Sequence, residues 1–186
     1  MLGVSLFGGI TILVGSIMEG RMVVEVYSLC GTKMRLSMRA TQWGKGYIAI
    51  VGLHGKSSQR CCVVNVYAAC TLKEKKILWE EISKCKENSQ IGMWCFCGDF
   101  NAIRRRVERQ GANRGDFIRE MKEFNGFIET NLLMDFPIVG KKFTLFKSNG
   151  TVKSRIDRAL VTEERLQCWP TCKQYVQRRG SRTTVL

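Results

Sequence analysis

Histidine and acid are what this sequence has least of. His54 is its only histidine in 186 residues, and 16 Asp and Glu stand against 30 Lys and Arg. A single imidazole leaves no His set for a zinc cluster, and the cysteines do not replace one. Cys30, Cys61, Cys62, Cys70, Cys85, Cys95, Cys97, Cys168 and Cys172 are odd in number, irregularly spaced and without paired Cys-x-x-Cys knuckles. Cys62, Cys95 and Cys97 sit inside apolar runs, where a free thiol behaves as a small hydrophobe. The chain therefore reads as reduced and intracellular. Proline is scarce too, with two residues, while 45% of the chain is hydrophobic, which excludes a disordered composition.

The shortage of acid leaves a formal charge of +14 and a pI near 9.7. An excess of that size points to a polyanion partner, nucleic acid first; a solvated basic surface with no partner is the plain alternative. The length suits one domain, residues 1–186, with enough chain to bury a core. Met1 to Met18 carries no charged side chain. Gly3, Gly8, Gly9 and Gly15 interrupt it and no Lys or Arg precedes it, so a buried strand is expected there rather than a membrane span or signal sequence.

Strand patterns fill the first half, at Ile10–Val14, Val23–Val26, Met34–Met38, Tyr47–Val51 and Cys62–Tyr67. Strands in succession without helices between them predict an antiparallel sheet. Thr71 and Glu74 then form a capping box ahead of a helix with a Leu72, Ile77, Leu78, Ile82 stripe. Met93 to Asn101 reads as a central strand delivering Asp99 and Asn101 at its edge. A second helix is predicted over Asp116 to Asn131, with Phe117, Met121, Phe124 and Ile128 on one face. Strands at Phe143–Phe146 and Arg155–Val161, a short helix capped by Thr162 and a strand near Gln174–Val176 complete the chain. That order suggests two sheets packed face to face with helices outside.

Three pieces carry the chemistry: Tyr67 after Val-Asn-Val, Gly98-Asp99-Phe100-Asn101, and Ser154-Arg155-Ile156-Asp157-Arg158. A carboxylate and an amide two residues apart on a strand point to one side. Such a pair can orient a water and hold a phosphoryl oxygen, as phosphodiester hydrolysis requires. Each piece alone also has a structural reading: a turn, a core tyrosine, an Asp paired to a neighbouring Arg.

In this order the pieces resemble the endonuclease/exonuclease/phosphatase superfamily, and within it the endonuclease domains of plant LINE-type (non-LTR) retrotransposons. Asn65-Val66-Tyr67-Ala68-Ala69-Cys70 is similar to the family's Asn-Val-Tyr-Ala-Pro-Cys, departing at Ala69. Trp94 through Asn101 and then Glu108-Arg109-Gln110-Gly111 resemble Trp-x-x-x-Gly-Asp-Phe-Asn followed by Glu-Arg-x-Gly. Phe124 to Ile128, Leu133-Met134-Asp135, Gly140 to Thr144 and Lys153 to Arg158 continue the likeness, with weaker echoes at Gly8-Gly9-Ile10 and Gly46-Tyr47-Ile48. The resemblance implies an α+β, αββα two-sheet sandwich and Mg²⁺-assisted phosphodiester hydrolysis. It gives Asp99 the attacking water, Asn101 and Tyr67 the phosphate, and Asp157 the orientation of a catalytic His.

The match then departs. The family's first strand and its metal-binding Glu should precede Gly8, and Glu19 and Glu25 stand in the wrong context to replace that Glu. The closing Ser-Asp-His is replaced by Ser181-Arg182-Thr183-Thr184-Val185-Leu186, and His54 lies where the family usually shows an aromatic. The expectation is a sandwich truncated at both ends, with vestigial catalytic residues, no metal ligands and no cleavage, since losing one electrostatic element commonly costs ~10²–10³ in rate. Arg104, Arg105, Arg106 and Arg155 are the expected phosphate contacts, either in an inactive retrotransposon endonuclease or in a non-enzymatic module binding DNA without sequence preference. No small-molecule cofactor and no membrane partner are expected, and a functional copy belongs in the nucleus. Truncation should also open sheet edges and uncover runs such as Cys95-Phe96-Cys97. The tail has a reading at the level of the gene. The genetic code permits both readings from one stretch: TCT-CGG-ACC-ACT-GTC-CTN would encode Ser181 to Leu186, and read two nucleotides later it would give Ser-Asp-His-Cys-Pro. A frame slip between Tyr175 and Gly180 is therefore expected.

Overall fold

The computed structural model describes residues 2–5, 11–18, 21–28, 33–54, 59–111, 117–140, 142–146, 151–168 and 174–175, with side chains from Leu36 to Cys168. The five strands expected in the first half are present, each longer than the pattern suggests, and one more precedes them. They are β1 (Leu2–Ser5), β2 (Thr11–Met18), β3 (Arg21–Ser28), β4 (Lys33–Gly44), β5 (Tyr47–His54) and β6 (Arg60–Tyr67). Each pairs antiparallel with the next, with a bulge in β4 between Met38 and Ala40. Where one buried strand is expected over Met1–Met18, the described residues form two strands, β1 and β2, whose burial lies outside what is described, and no helix among the described residues is long and apolar enough to cross a membrane.

Helix α1 (Leu72–Glu87) follows, starting where the capping box places it: the Thr71 hydroxyl accepts from the Glu74 N–H at 3.3 Å. Its helical crossover lets β7 (Met93–Asp99) lie parallel to β6. The chain continues through β8 (Arg109–Gln110), α2 (Phe117–Thr130), β9 (Met134–Asp135), β10 (Ile138–Val139), β11 (Leu145–Phe146), β12 (Lys153–Ser154), β13 (Asp157–Val161), α3 (Glu163–Cys168) and β14 (Gln174–Tyr175). Strands β1 to β7, then β13 and β9, form a nine-stranded sheet; β11-β12-β8 and β10-β14 form two smaller ones. Asp116, Val176 and the tail from Ser181 lie outside the described residues.

Alternation along the strands splits the core in two. Val64, Val66, Trp94, Phe96 and Leu160 face α1 and α2, where Trp79 stacks on Phe124 with ring centroids 5.2 Å apart. Cys61, Val63, Cys95, Cys97, Ala159 and Val161 face the other way, against Phe136, Met134 and Leu166. Cys95, Phe96 and Cys97 are therefore fully buried between β6 and β13, which corrects the expectation that truncation uncovers them. Cys61, Cys62, Cys95 and Cys97 are buried thiols outside any disulfide, and burial pushes Cys61 up to about 11.

Two helix details differ from the pattern. In α1 the buried side chains are Lys75, Leu78, Trp79 and Ile82, while Ile77 is 47% exposed. In α2 they are Phe124, Phe127 and Ile128, and Phe117 instead carries the Arg109 guanidinium 4.5 Å over its ring. Thr162 precedes α3, but its hydroxyl accepts from the Trp94 N–H at 3.0 Å and donates to the Gly92 carbonyl at 2.8 Å. It clamps the start of β7 as well as opening a helix.

Candidate phosphodiester site

The site lies where three strands end level with one another. Tyr67 closes β6, Asp99 closes β7 and Asp157 opens β13, and the register pairs Tyr67 with Asp99 and Asp99 with Asp157. Period-two alternation puts all three on the face of Cys97 and Ala159, away from α1 and α2. Tyr67 is 58% exposed, and its backbone N–H donates to the Gly46 carbonyl at 2.8 Å, tying the β4–β5 turn to the row. The Ala68 N–H donates to the Asp99 carbonyl at 2.8 Å, holding the β6 and β7 ends side by side.

Asn101 reaches the site differently from the sequence expectation. The strand stops at Asp99, and Asn101 takes the left-handed conformation, φ 50°. Alternation along a strand therefore does not align the pair; a turn does. The Asn101 N–H donates to Asp99 Oδ1 at 2.7 Å, and Asn101 Nδ2 donates to the Ala68 carbonyl at 3.3 Å. Asn tolerates positive φ better than most residues, which suits it to this position.

Electrostatics single out the carboxylates. Burial, then the charge of Asp157, push Asp99 up to about 6, against the Asn101 N–H and the Lys75 ammonium. Burial also raises Asp157, opposed by its hydrogen bond to the Thr144 hydroxyl. Two carboxylates and one amide are oxygen donors of the kind Mg²⁺ takes along with waters and phosphate oxygens, while among the described residues no group of three or more His, Cys, Asp or Glu could hold a metal. His54 ends β5 seven positions from Tyr47, the β5 residue nearest the row, and so sits at the far end of that strand. Glu25 lies farther off, paired with Arg35 near the start of β4.

Beneath the row, on the helix face, is an ion network the sequence did not announce. Arg158 is fully buried and bonded to Glu108, with Asp135 Oδ2 at 2.6 Å and the Phe124 ring centroid at 5.6 Å. Arg155 donates to Asp135 Oδ1 and to the Phe136 carbonyl, both at 2.9 Å. Arg104 donates from Nε to Asn125 Oδ1 at 2.9 Å and pairs with Asp135 at 3.3 Å. Burial alone would raise Glu108, but Arg158 and its neighbours hold it below the usual carboxylate range. Of the four arginines expected to meet phosphate, Arg104 and Arg155 turn their guanidinium groups into this network, and Arg105 and Arg106 are exposed.

No family model and no curated protein matches the sequence. Among solved structures, a 3′ phosphatase from Neisseria bound to product DNA hairpin matches over 82% of this chain and 66% of that one. The identity is 18% and the TM-score 0.54. The endonuclease domain of TRAS1, a telomere-specific non-LTR retrotransposon, matches over 84% of this chain and 69% of that one, at 15% identity and a TM-score of 0.50. The fold is that of the endonuclease/exonuclease/phosphatase proteins. Other matches are longer still: the chain spans 44% of a beta toxin from Staphylococcus aureus. Identities this low carry the fold and not the substrate. In this chain the endonuclease/exonuclease/phosphatase fold gathers Tyr67, Asp99 and Asp157 into one row with Asn101 at its end. Sequence reasoning missed Lys75, Glu120 and Arg158. For Lys75 a signal existed: it lies three, four and seven positions before Leu78, Trp79 and Ile82, on the buried stripe.

Proposed function

We propose that this chain is a nuclease-like domain of retrotransposon type that keeps a phosphodiester-binding face and has lost the chemistry of cleavage. The observation that carries the reading is the level row of Tyr67, Asp99 and Asp157, with Asn101 turned onto Asp99. A phenol, an amide and two carboxylates at one sheet edge suit a phosphodiester and its attacking water. The formal charge of +14 favours a polyanion, and the exposed Arg105 and Arg106, four and five positions past Asn101, would supply phosphate contacts. Retrotransposon descent is supported by the motif order and by the shared fold with a non-LTR endonuclease domain.

Loss of cleavage is supported by the small number of acidic ligands at the row. Asp157 raises the proton affinity of Asp99, and among the described residues no third His, Cys, Asp or Glu joins them to hold a cation. Members of a catalytic set act as a unit, so partial loss removes nearly all rate. The purified protein should bind DNA weakly and steeply with salt, yet leave supercoiled plasmid un-nicked in Mg²⁺. Nicking that disappears in Asp99→Ala would overturn the loss of chemistry, because contamination would not depend on that residue.

A further inference from the structure

Lys75 is a lysine where an apolar residue would pack. It stands on the inner stripe of α1 with Leu78, Trp79 and Ile82, and it is 2% exposed. Its ammonium has two acceptors from different parts of the chain. Nζ donates to Glu120 Oε2 on α2 at 2.6 Å and to the backbone carbonyl of Asn101 at 2.5 Å. Buried ion pairs are poor stabilisers compared with well-packed apolar side chains, so stability alone is a weak reason for this one. The second acceptor suggests another. Asn101, left-handed at φ 50°, thus offers its carbonyl to the buried ammonium while its N–H donates to Asp99 Oδ1 at 2.7 Å.

We infer that Lys75 is a positioning residue: held by Glu120, its ammonium pins the Asn101 carbonyl and so sets the Asp99–Asn101 turn that would meet a phosphate. The inference rests on the reading of the Tyr67, Asp99, Asp157 row as a phosphodiester-binding site, and it adds the part that keeps that site in shape. Without the ammonium, the Asn101 carbonyl loses its buried partner, and the turn relaxes toward a conformation in which it faces water. Asn101 then releases Asp99, and the two groups no longer converge on one ligand.

The test compares Lys75→Met, which keeps the stem and removes the charge, with Lys75→Arg, which keeps a cation. Amide hydrogen exchange is read at Asn101 and, for comparison, at Val64 and Phe96 in β6 and β7. Affinity is read with a short fluorescein-labelled single-stranded oligonucleotide at low salt. In Lys75→Met the Asn101 amide should exchange about tenfold faster or more, with Val64 and Phe96 unchanged, and the oligonucleotide should bind several-fold more weakly. Lys75→Arg should restore both. Unchanged protection at Asn101, or equal acceleration throughout β6 and β7, would overturn the inference. If Lys75→Met does not fold, Glu120→Gln leaves the ammonium in place but unlocked, and a folded Glu120→Gln with full protection at Asn101 overturns it as well. Failure of the wild-type chain to bind the oligonucleotide would count against the phosphodiester reading, while the exchange measurements still decide the role of Lys75.

Discussion

Asp157 stands directly opposite Asp99 across β13 and β7, so the two carboxylates share one level of one sheet face. Burial and this juxtaposition push Asp99 up to about 6, above its ordinary 3.8. The folded chain therefore holds a proton that the unfolded chain has released between about pH 4 and pH 6, and stability falls as pH rises through that window. At about 1.4 kcal/mol per unit, reduced by screening of a half-buried group, the loss is roughly 1–2 kcal/mol. Asp99→Asn should raise stability at neutral pH by a similar amount and flatten the profile in that window. Urea unfolding across pH measures both, and a less stable Asp99→Asn at neutral pH would mean that the carboxylate is compensated.

Arg158 governs a different kind of stability. It is fully buried between Glu108 and Asp135, and its removal leaves two half-buried acids short of a partner. Arg158→Met should cost about 3–5 kcal/mol in chemical denaturation. Glu108→Gln in the same background should recover part of that loss, since it removes an acid left without its cation. Strict additivity of the two changes would show that they do not share a network.

The run at Arg104 to Arg106 should divide by role. Arg105 and Arg106 are exposed, whereas Arg104 is held by Asn125 and Asp135. Replacing Arg105 and Arg106 by Ala should lower the salt dependence of DNA binding, by about 0.7–0.9 in slope for each phosphate that is no longer neutralised, with the melting temperature unchanged. Arg104→Ala should do the reverse. A titration of affinity against salt, with a thermal melt beside it, separates the two, and an unchanged slope in the double variant removes the run from the interface.

Much of this was legible in the sequence, and the failures have physical causes. Short alternating strands, the Thr71 cap and the apolar run of β7 are local signals, and local signals placed their elements. Level placement of Tyr67, Asp99 and Asp157 depends on register among three strands far apart in the chain. Motif order alone hinted at it. Asn101 defeated the alternation rule because the strand ends one residue after Gly98. Lys75 and Arg158 were passed over because charge argues for a surface position, and their partners Glu120, Glu108 and Asp135 are distant in sequence. Buried charge is a property of pairs, and one-dimensional periodicity does not see pairs.

Gly98 gives the sharpest test of how the strands are held at the site. Its φ is 130°, a conformation that side chains rarely adopt, and it pairs with Val66 across the parallel β6–β7 junction. A Cβ built there would lie 2.1 Å from the Val66 carbonyl oxygen, a backbone atom in the middle of a buried sheet. Nothing flexible can move aside, so either the β6–β7 ladder opens or the substituted chain does not fold. Both outcomes separate Tyr67 from Asp99, whose Cα pairing depends on that ladder. Gly98→Ala should therefore cost about 3 kcal/mol or more. Gly126 provides the control: it lies within α2, and a Cβ there meets nothing within 4 Å. Gly126→Ala should stabilise by about 0.5–1 kcal/mol through helix propensity. Equal effects of the two substitutions in urea unfolding would show that β6 and β7 do not approach as closely as this geometry requires.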